Sequence, residues 1–207
     1  MKSRRYRLGQ RQTSVNETRG RIIAAARELL ATRDDFSGFT MDGVAARAGV
    51  ARMTVFNQFG SKRGLLEALF DDLAARGLVG RIQNAFVQVD PRDALDAFVA
   101  AFGGFWTSDR LVIRRIRALA SIDADFELAV RARDERRREG LRYILSRLPK
   151  KGRKQAPANL AETIGILHTL TSFETFDNLA GEEHDPDEMV AVVCRLAWAA
   201  IELEDSR

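Results

Sequence analysis

The tripeptide Ala48-Gly49-Val50 sets the local fold of residues 39–62, FTMDGVAARAGVARMTVFNQFGSK. Before it, Met41, Val44, Ala45 and Ala48 recur at helical spacing behind Thr40, a residue suited to an N-cap, so the pattern predicts a short amphipathic helix over 41–47. Gly49 ends that helix, since a glycine just past the last periodic residue takes the left-handed backbone at low steric cost. A second helix follows over 51–59. On a wheel of about 100° per residue, Val55 and Phe59 share its inner side and Arg52 and Phe56 flank them. Met53, Thr54, Asn57 and Gln58 face outward. Such a face suits a helix laid in a major groove, where amides and guanidinium groups pair with base edges and methyl groups touch thymine. The plainer alternative is a solvated helix face.

The basic surroundings favour the groove. From Met1 to Arg63 there are 13 Lys/Arg against 5 Asp/Glu, which leaves 20 against 24 for the rest of the chain and a formal net charge of +4 overall. That surplus beside the helix-turn-helix favours polyanion binding and salt-sensitive association. The 207 residues include 15 glycines and 4 prolines, and Ala, Leu, Arg and Glu are abundant, so an all-α protein is expected. The single cysteine, Cys194, has no intrachain disulfide partner; flanked by valines, it reads as a packing residue. No secretory signal opens the sequence and no run nears the ~18 apolar residues of a membrane span, so a cytoplasmic protein without membrane contact is expected.

Residues 1–17 carry five basic side chains without periodicity and read as a mobile arm that either meets DNA or has no specific role. Thr18 is a candidate cap for a first helix with Ile22, Ala26, Leu29 and Leu30 on one stripe, completed by Phe36 or Phe39, Val44, Val55 and Phe59 as a three-helix core. Ser61 caps a fourth helix, over about 61–79, that buries Leu65, Leu66, Leu69, Phe70 and Leu73; Gly77 and Gly80 predict a break at its far end. Asp90-Pro91 marks the next start, and helices are expected at 92–106, 110–121, 124–148, 157–180 and 186–204. The arginines of and beside ARDERRREG (132–140) are interleaved with acids at i,i+4, as in Arg131 with Glu135 and Asp134 with Arg138, and read as a solvated face. PKKGRKQAPAN (149–159) reads as an exposed basic connection.

The last helix is apolar almost all round, and the preceding one carries two apolar stripes, so the pair is expected to face its own core and a two-fold copy of itself. Leu160, Ile164, Leu167, Val193, Leu196, Ala197 and Ala200 are the candidate dimer residues.

The ordered set GFTMDGVAARAGVARMTVFNQFGSKRGLLEAL resembles the TetR family of transcriptional regulators: Gly-Phe-Thr, the Ala-Gly-Val turn, Thr54-x-x-x-x-Phe59 and a Ser-Lys start to helix four, within a match over about 18–70. The resemblance implies a helix-turn-helix DNA-binding domain at 18–63, and an effector-binding and dimerisation domain at 64–207. It also implies that Thr40 and Lys62 contact phosphate, as helix N-termini favour, and that Arg52, Met53, Thr54, Asn57 and Gln58 face the groove. Phe56 stands where a tyrosine is common and Gln58 where a histidine is common, so the contacts depart from the family's usual set. For a pocket among the central helices, Phe102, Trp106, Ile116, Leu119, Phe126, His168, Ser172, Phe173 and Phe176 are the candidates, each of which can equally be core.

The function expected on that basis is a homodimeric repressor on a roughly palindromic double-stranded operator, released by a small, largely apolar effector. A DNA-binding dimer without an effector, constitutive or controlled by a protein partner, is the alternative. An enzyme using the helix-turn-helix as scaffold is a weaker one: there is no Cys-His pair, no Gly-x-Ser-x-Gly elbow, no phosphate loop and no metal-ligand cluster, and with two histidines neither catalysis nor a cofactor or metal is expected.

Overall fold

A computed structural model describes residues 2–32, 38–148, 160–181 and 185–205. The described residues are all-α, without a strand: α1 Lys2–Ala31, α2 Met41–Ala48, α3 Arg52–Phe59, α4 Lys62–Gly77, α5 Val79–Val87, α6 Pro91–Ser108, α7 Arg110–Ala120, α8 Ala124–Ser146, α9 Leu160–Leu170, α10 Phe173–Ala180 and α11 Pro186–Asp205. Among these residues no helix is long and apolar enough to cross a membrane. Phe36, the basic connection at 149–159 and His184 lie outside the described residues.

The chain divides into two compact units, one of residues up to Asp72 with Leu111–Leu119, the other of Leu73–Arg110 with the residues from Ala120 on. In the first, Ile22, Ala26 and Leu30 of α1 are buried with Phe39, Val44, Val55, Leu65 and Leu69, and α7 adds Val112, Ile113 and Ile116. The Arg115 guanidinium is buried there too, and its Nη1 donates to the carbonyls of Leu30, at 2.8 Å, and Thr32. These are the carbonyls that a helix end leaves without partners. The second unit is built on α6, against which α5, α8, α10 and α11 pack.

Several boundaries fall where local chemistry puts them. Gly49 has φ 64°, and Val50 N–H donates to Ala45 O at 3.0 Å, closing α2 in a Schellman turn. Ser61 Oγ accepts from Gly64 N–H at 3.0 Å and starts α4. The fourth helix does break between Gly77 and Val79, and Asp90 Oδ1 accepts from Arg92 N–H at 2.7 Å ahead of Pro91.

Three expectations need correction. The helix expected to start at a Thr18 cap instead runs unbroken from Lys2, where an arm was read. Its Lys, Arg, Gln and Glu residues are good helix formers uninterrupted by proline, and the Thr18 hydroxyl donates one turn back to Ser14 O at 2.9 Å rather than capping. The single helix expected over 157–180 is two. Ser172 is extended (φ −74°, ψ 159°) and accepts from Thr175 N–H, which caps α10 and separates it from α9. Along this part of α8, Arg131 pairs with Glu127 rather than Glu135, and Asp134 with Arg137. Arg137 does not belong to a solvated face at all: it is 4% exposed.

Candidate functional site

The reading head is local in origin. α2 and α3 are joined by the Gly49 turn, and Val44, Ala45, Ala48 and Val55 are buried, which leaves the opposite side of α3 to solvent. Met53 and Phe56 are 61% and 53% exposed. Arg52 and Asn57 are exposed as well, while Thr54 and Gln58 are half-buried and lie nearer the edge of this face. The Gln58 carbonyl accepts from Arg19 Nη1 at 3.3 Å, and the Arg19 guanidinium stacks 4.5 Å from the Phe59 ring centre, so α1 braces the end of α3. The exposed Phe56 supplies ring surface but no hydroxyl.

Two helix starts stand in the same unit. Thr40 Oγ1 accepts from Gly43 N–H at 2.9 Å, capping α2 and keeping its own O–H to donate outward. Lys62 opens α4 with its ammonium 5.0 Å from the Phe39 ring centre, a cation–π contact that holds the charge at an exposed helix N-terminus. The sequence reading missed Asp42, whose Oδ2 lies 3.2 Å from Arg52 Nη1. The two are ten positions apart across a turn, so no helical spacing links them in the sequence.

The pocket candidates separate. Ile116 and Leu119 belong to the first unit, the other seven to the second. There Trp106 is in ring contact with both Phe102 and Phe173, with centroids 5.8 Å apart in each pair, and its Nε1–H donates to Thr171 O at 2.9 Å. Phe126 and Phe176 are buried. Ser172 is the α10 cap. His168 joins a cluster centred on Arg137, whose Nη1 donates to His168 O at 2.6 Å and Thr171 Oγ1 at 3.0 Å, and whose Nη2 lies 3.2 Å from Asp134 Oδ1. His168 Nε2 is 3.0 Å from Arg137 Nη2 and 3.1 Å from Asp134 O, so it either accepts from the guanidinium or, carrying the proton, donates to the carbonyl. Burial, and next the Arg137 guanidinium, lower the His168 pKa and so favour the neutral ring. A cleft of about 520 Å³ lies beside α5, α6 and the start of α11, lined by residues other than these nine.

The dimer candidates are corrected in part. Ile164, Leu167, Val193 and Ala197 are buried within one chain, where α9 and α11 pack on each other, and so offer no surface to a copy. Leu196 is 47% exposed, and Leu160 and Ala200 are half-buried. The Cys194 thiol is half-buried; burial and the neighbouring Asp96 push its pKa up to about 12, which leaves it a poor nucleophile.

Residues 22–69 match the sequence profile of bacterial regulatory proteins, tetR family. The HTH-type transcriptional regulator AlkX of Mycobacterium tuberculosis is 35% identical over 108 residues, 51% of this chain and 50% of that protein. The chain thus spans about half the length of the curated relatives it matches. Among solved structures, a TetR-like transcriptional regulator from Rhodococcus sp. RHA1 superposes with a TM-score of 0.69 at 21% identity, covering 89% of this chain and 96% of the other. PfmR from Thermus thermophilus, a TetR family transcriptional regulator, gives 0.57 at 20% identity, covering 87% and 93%. At these identities the likeness is one of fold.

Proposed function

The chain belongs to the tetR family of bacterial regulatory proteins through its domain at residues 22–69, and from that premise we propose that it is a homodimeric, DNA-binding transcriptional repressor released by a small, largely apolar effector. The observation that carries the reading is the exposed face of Arg52, Met53, Phe56 and Asn57 on α3, in one unit with the helix starts at Thr40 and Lys62. Base edges are met by the first set and phosphates by the second. Two such heads in a two-fold dimer engage successive major grooves of a roughly palindromic operator. An effector that favours the DNA-free state weakens DNA binding, and the operator weakens effector binding by the same factor.

The phosphate role is tested with Lys62→Ala. Affinity is expected to fall for all sequences alike, and the slope of log K against log salt to flatten by about 1; an unaltered slope removes Lys62 from the backbone contacts. The dimer is tested with Leu196→Asp rather than at Val193, because an acid at a site 0% exposed disrupts the fold before it reports on assembly. Leu196→Asp is expected to sediment as a folded monomer with weakened operator binding. A variant that remains a dimer places the interface elsewhere.

A further inference from the structure

We propose that the open cleft formed by α5, α6 and the first turn of α11 binds a medium-sized apolar monocarboxylate, with the Arg81 guanidinium as its anion-binding group. The cleft, of about 520 Å³, falls within the range of small-molecule sites, roughly 300–1,000 Å³. Its apolar lining is small: Ala97, Ala100 and Ala101 on α6 and Val190 on α11. They accept an alkyl or cyclic hydrocarbon body and give a polar one nothing to pair with.

The polar groups are few and unlike each other. Arg81 is exposed at the mouth and has no hydrogen bond or ion pair to any described residue. Its guanidinium lies over Gly104, where an added Cβ would collide with Nη1; the missing side chain is what lets the cation lie across the cleft. Asn84 lies about one turn further along α5 on the same side. Its Oδ1 accepts from Gln88 Nε2 at 3.2 Å, and its amide N–H groups have no partner among the described residues, so they are available as donors. A planar guanidinium with an amide donor beside it matches a carboxylate. Asp187, on the α11 side, repels a second negative charge and so selects a monoanion.

This inference rests on the reading of the second unit as the effector-binding one, and it puts the ligand outside the aromatic cluster of Phe102, Trp106 and Phe173. The test is calorimetric titration of the full chain with decanoate, held below its micelle concentration. Saturable binding is expected, weakened about tenfold or more by Arg81→Gln. Decylamine, decanol and the dianion decanedioate are expected to bind more weakly than decanoate. Gly104→Ala, which displaces the guanidinium and leaves its charge, is expected to weaken decanoate as well. Failure of the folded wild type to bind decanoate, or equal affinity in Arg81→Gln, overturns the site. DNA binding measured alongside separates the two readings: Arg81-dependent decanoate binding that leaves DNA affinity unchanged upholds the site and overturns effector release through it. Release of DNA by another compound, with no decanoate binding, overturns the site and upholds the regulatory reading.

Discussion

Replacing Arg115 with methionine is expected to destabilise the first unit by about 1–3 kcal/mol. The guanidinium donates to Leu30 O, at 2.8 Å, and to Thr32 O, at the end of α1. Methionine keeps much of the volume and removes the donors. The buried Leu30 acceptor left without a partner costs about 1–3 kcal/mol, whereas the bond to the carbonyl of exposed Thr32 is worth less in net terms, because one to water replaces it. What decides the size of the effect is therefore burial, and Arg115 is 9% exposed. Both tryptophans, Trp106 and Trp198, lie in the second unit, so their fluorescence is a poor reporter; urea unfolding followed by far-UV circular dichroism is the measurement. Arg115→Lys is expected to recover part of the loss, since an ammonium donates to one carbonyl but does not reproduce the planar fork. An unchanged midpoint in Arg115→Met would mean that water reaches the end of α1.

Arg115 also shows where the sequence stops being informative. The Gly49 turn, the caps at Thr40, Ser61 and Asp90 and the break after Gly77 are fixed by residues within a turn of each other, so periodicity and cap chemistry suffice to place them. Which core an amphipathic helix faces is not local. The apolar stripe of α7 carries no mark that Ile113 and Ile116 join the first unit, far back in the chain. Arginine misleads most. In a sequence a guanidinium reads as surface, yet Arg115 and Arg137 are buried because carbonyls distant in the chain receive them: Leu30 and Thr32 for the one, His168 for the other. Four of the seven dimer candidates, Ile164, Leu167, Val193 and Ala197, fail for the same reason. Ile164 and Val193 are apolar at helical spacing, and only the packing of α9 on α11 shows that this side is used up within one chain. Of the candidate DNA-binding set, the exposed face of α3 was legible, because a two-helix motif closed by one glycine is almost wholly local; the pairing of Arg52 with Asp42 was not.

Alanine at Arg52 and at Asn57 is expected to relax discrimination among operator variants by about 1–3 kcal/mol for each bidentate base pairing lost. Both side chains are exposed on α3, and Asn57 has no hydrogen bond to any described residue, so its amide is available in full. Arg52 is not: Asp42 holds it at 3.2 Å. Magnitudes settle which partner wins. An exposed ion pair is worth about 0–1 kcal/mol, less than a bidentate contact to guanine, so DNA can take Arg52 from Asp42 without losing the gain. The carboxylate then stays close to the groove and repels phosphate, which keeps Arg52 directed at bases rather than at the backbone. Asp42→Ala is accordingly expected to act opposite to Arg52→Ala: tighter binding to every sequence, a steeper salt dependence and poorer discrimination. Fluorescence anisotropy at fixed salt, over operators changed one base pair at a time, separates these outcomes. Arg52→Ala should lose preference at one symmetric pair of positions and Asn57→Ala at another. Uniform weakening by Arg52→Ala at all positions would make it a phosphate contact and transfer base reading to Met53, Asn57 and the edge residues Thr54 and Gln58.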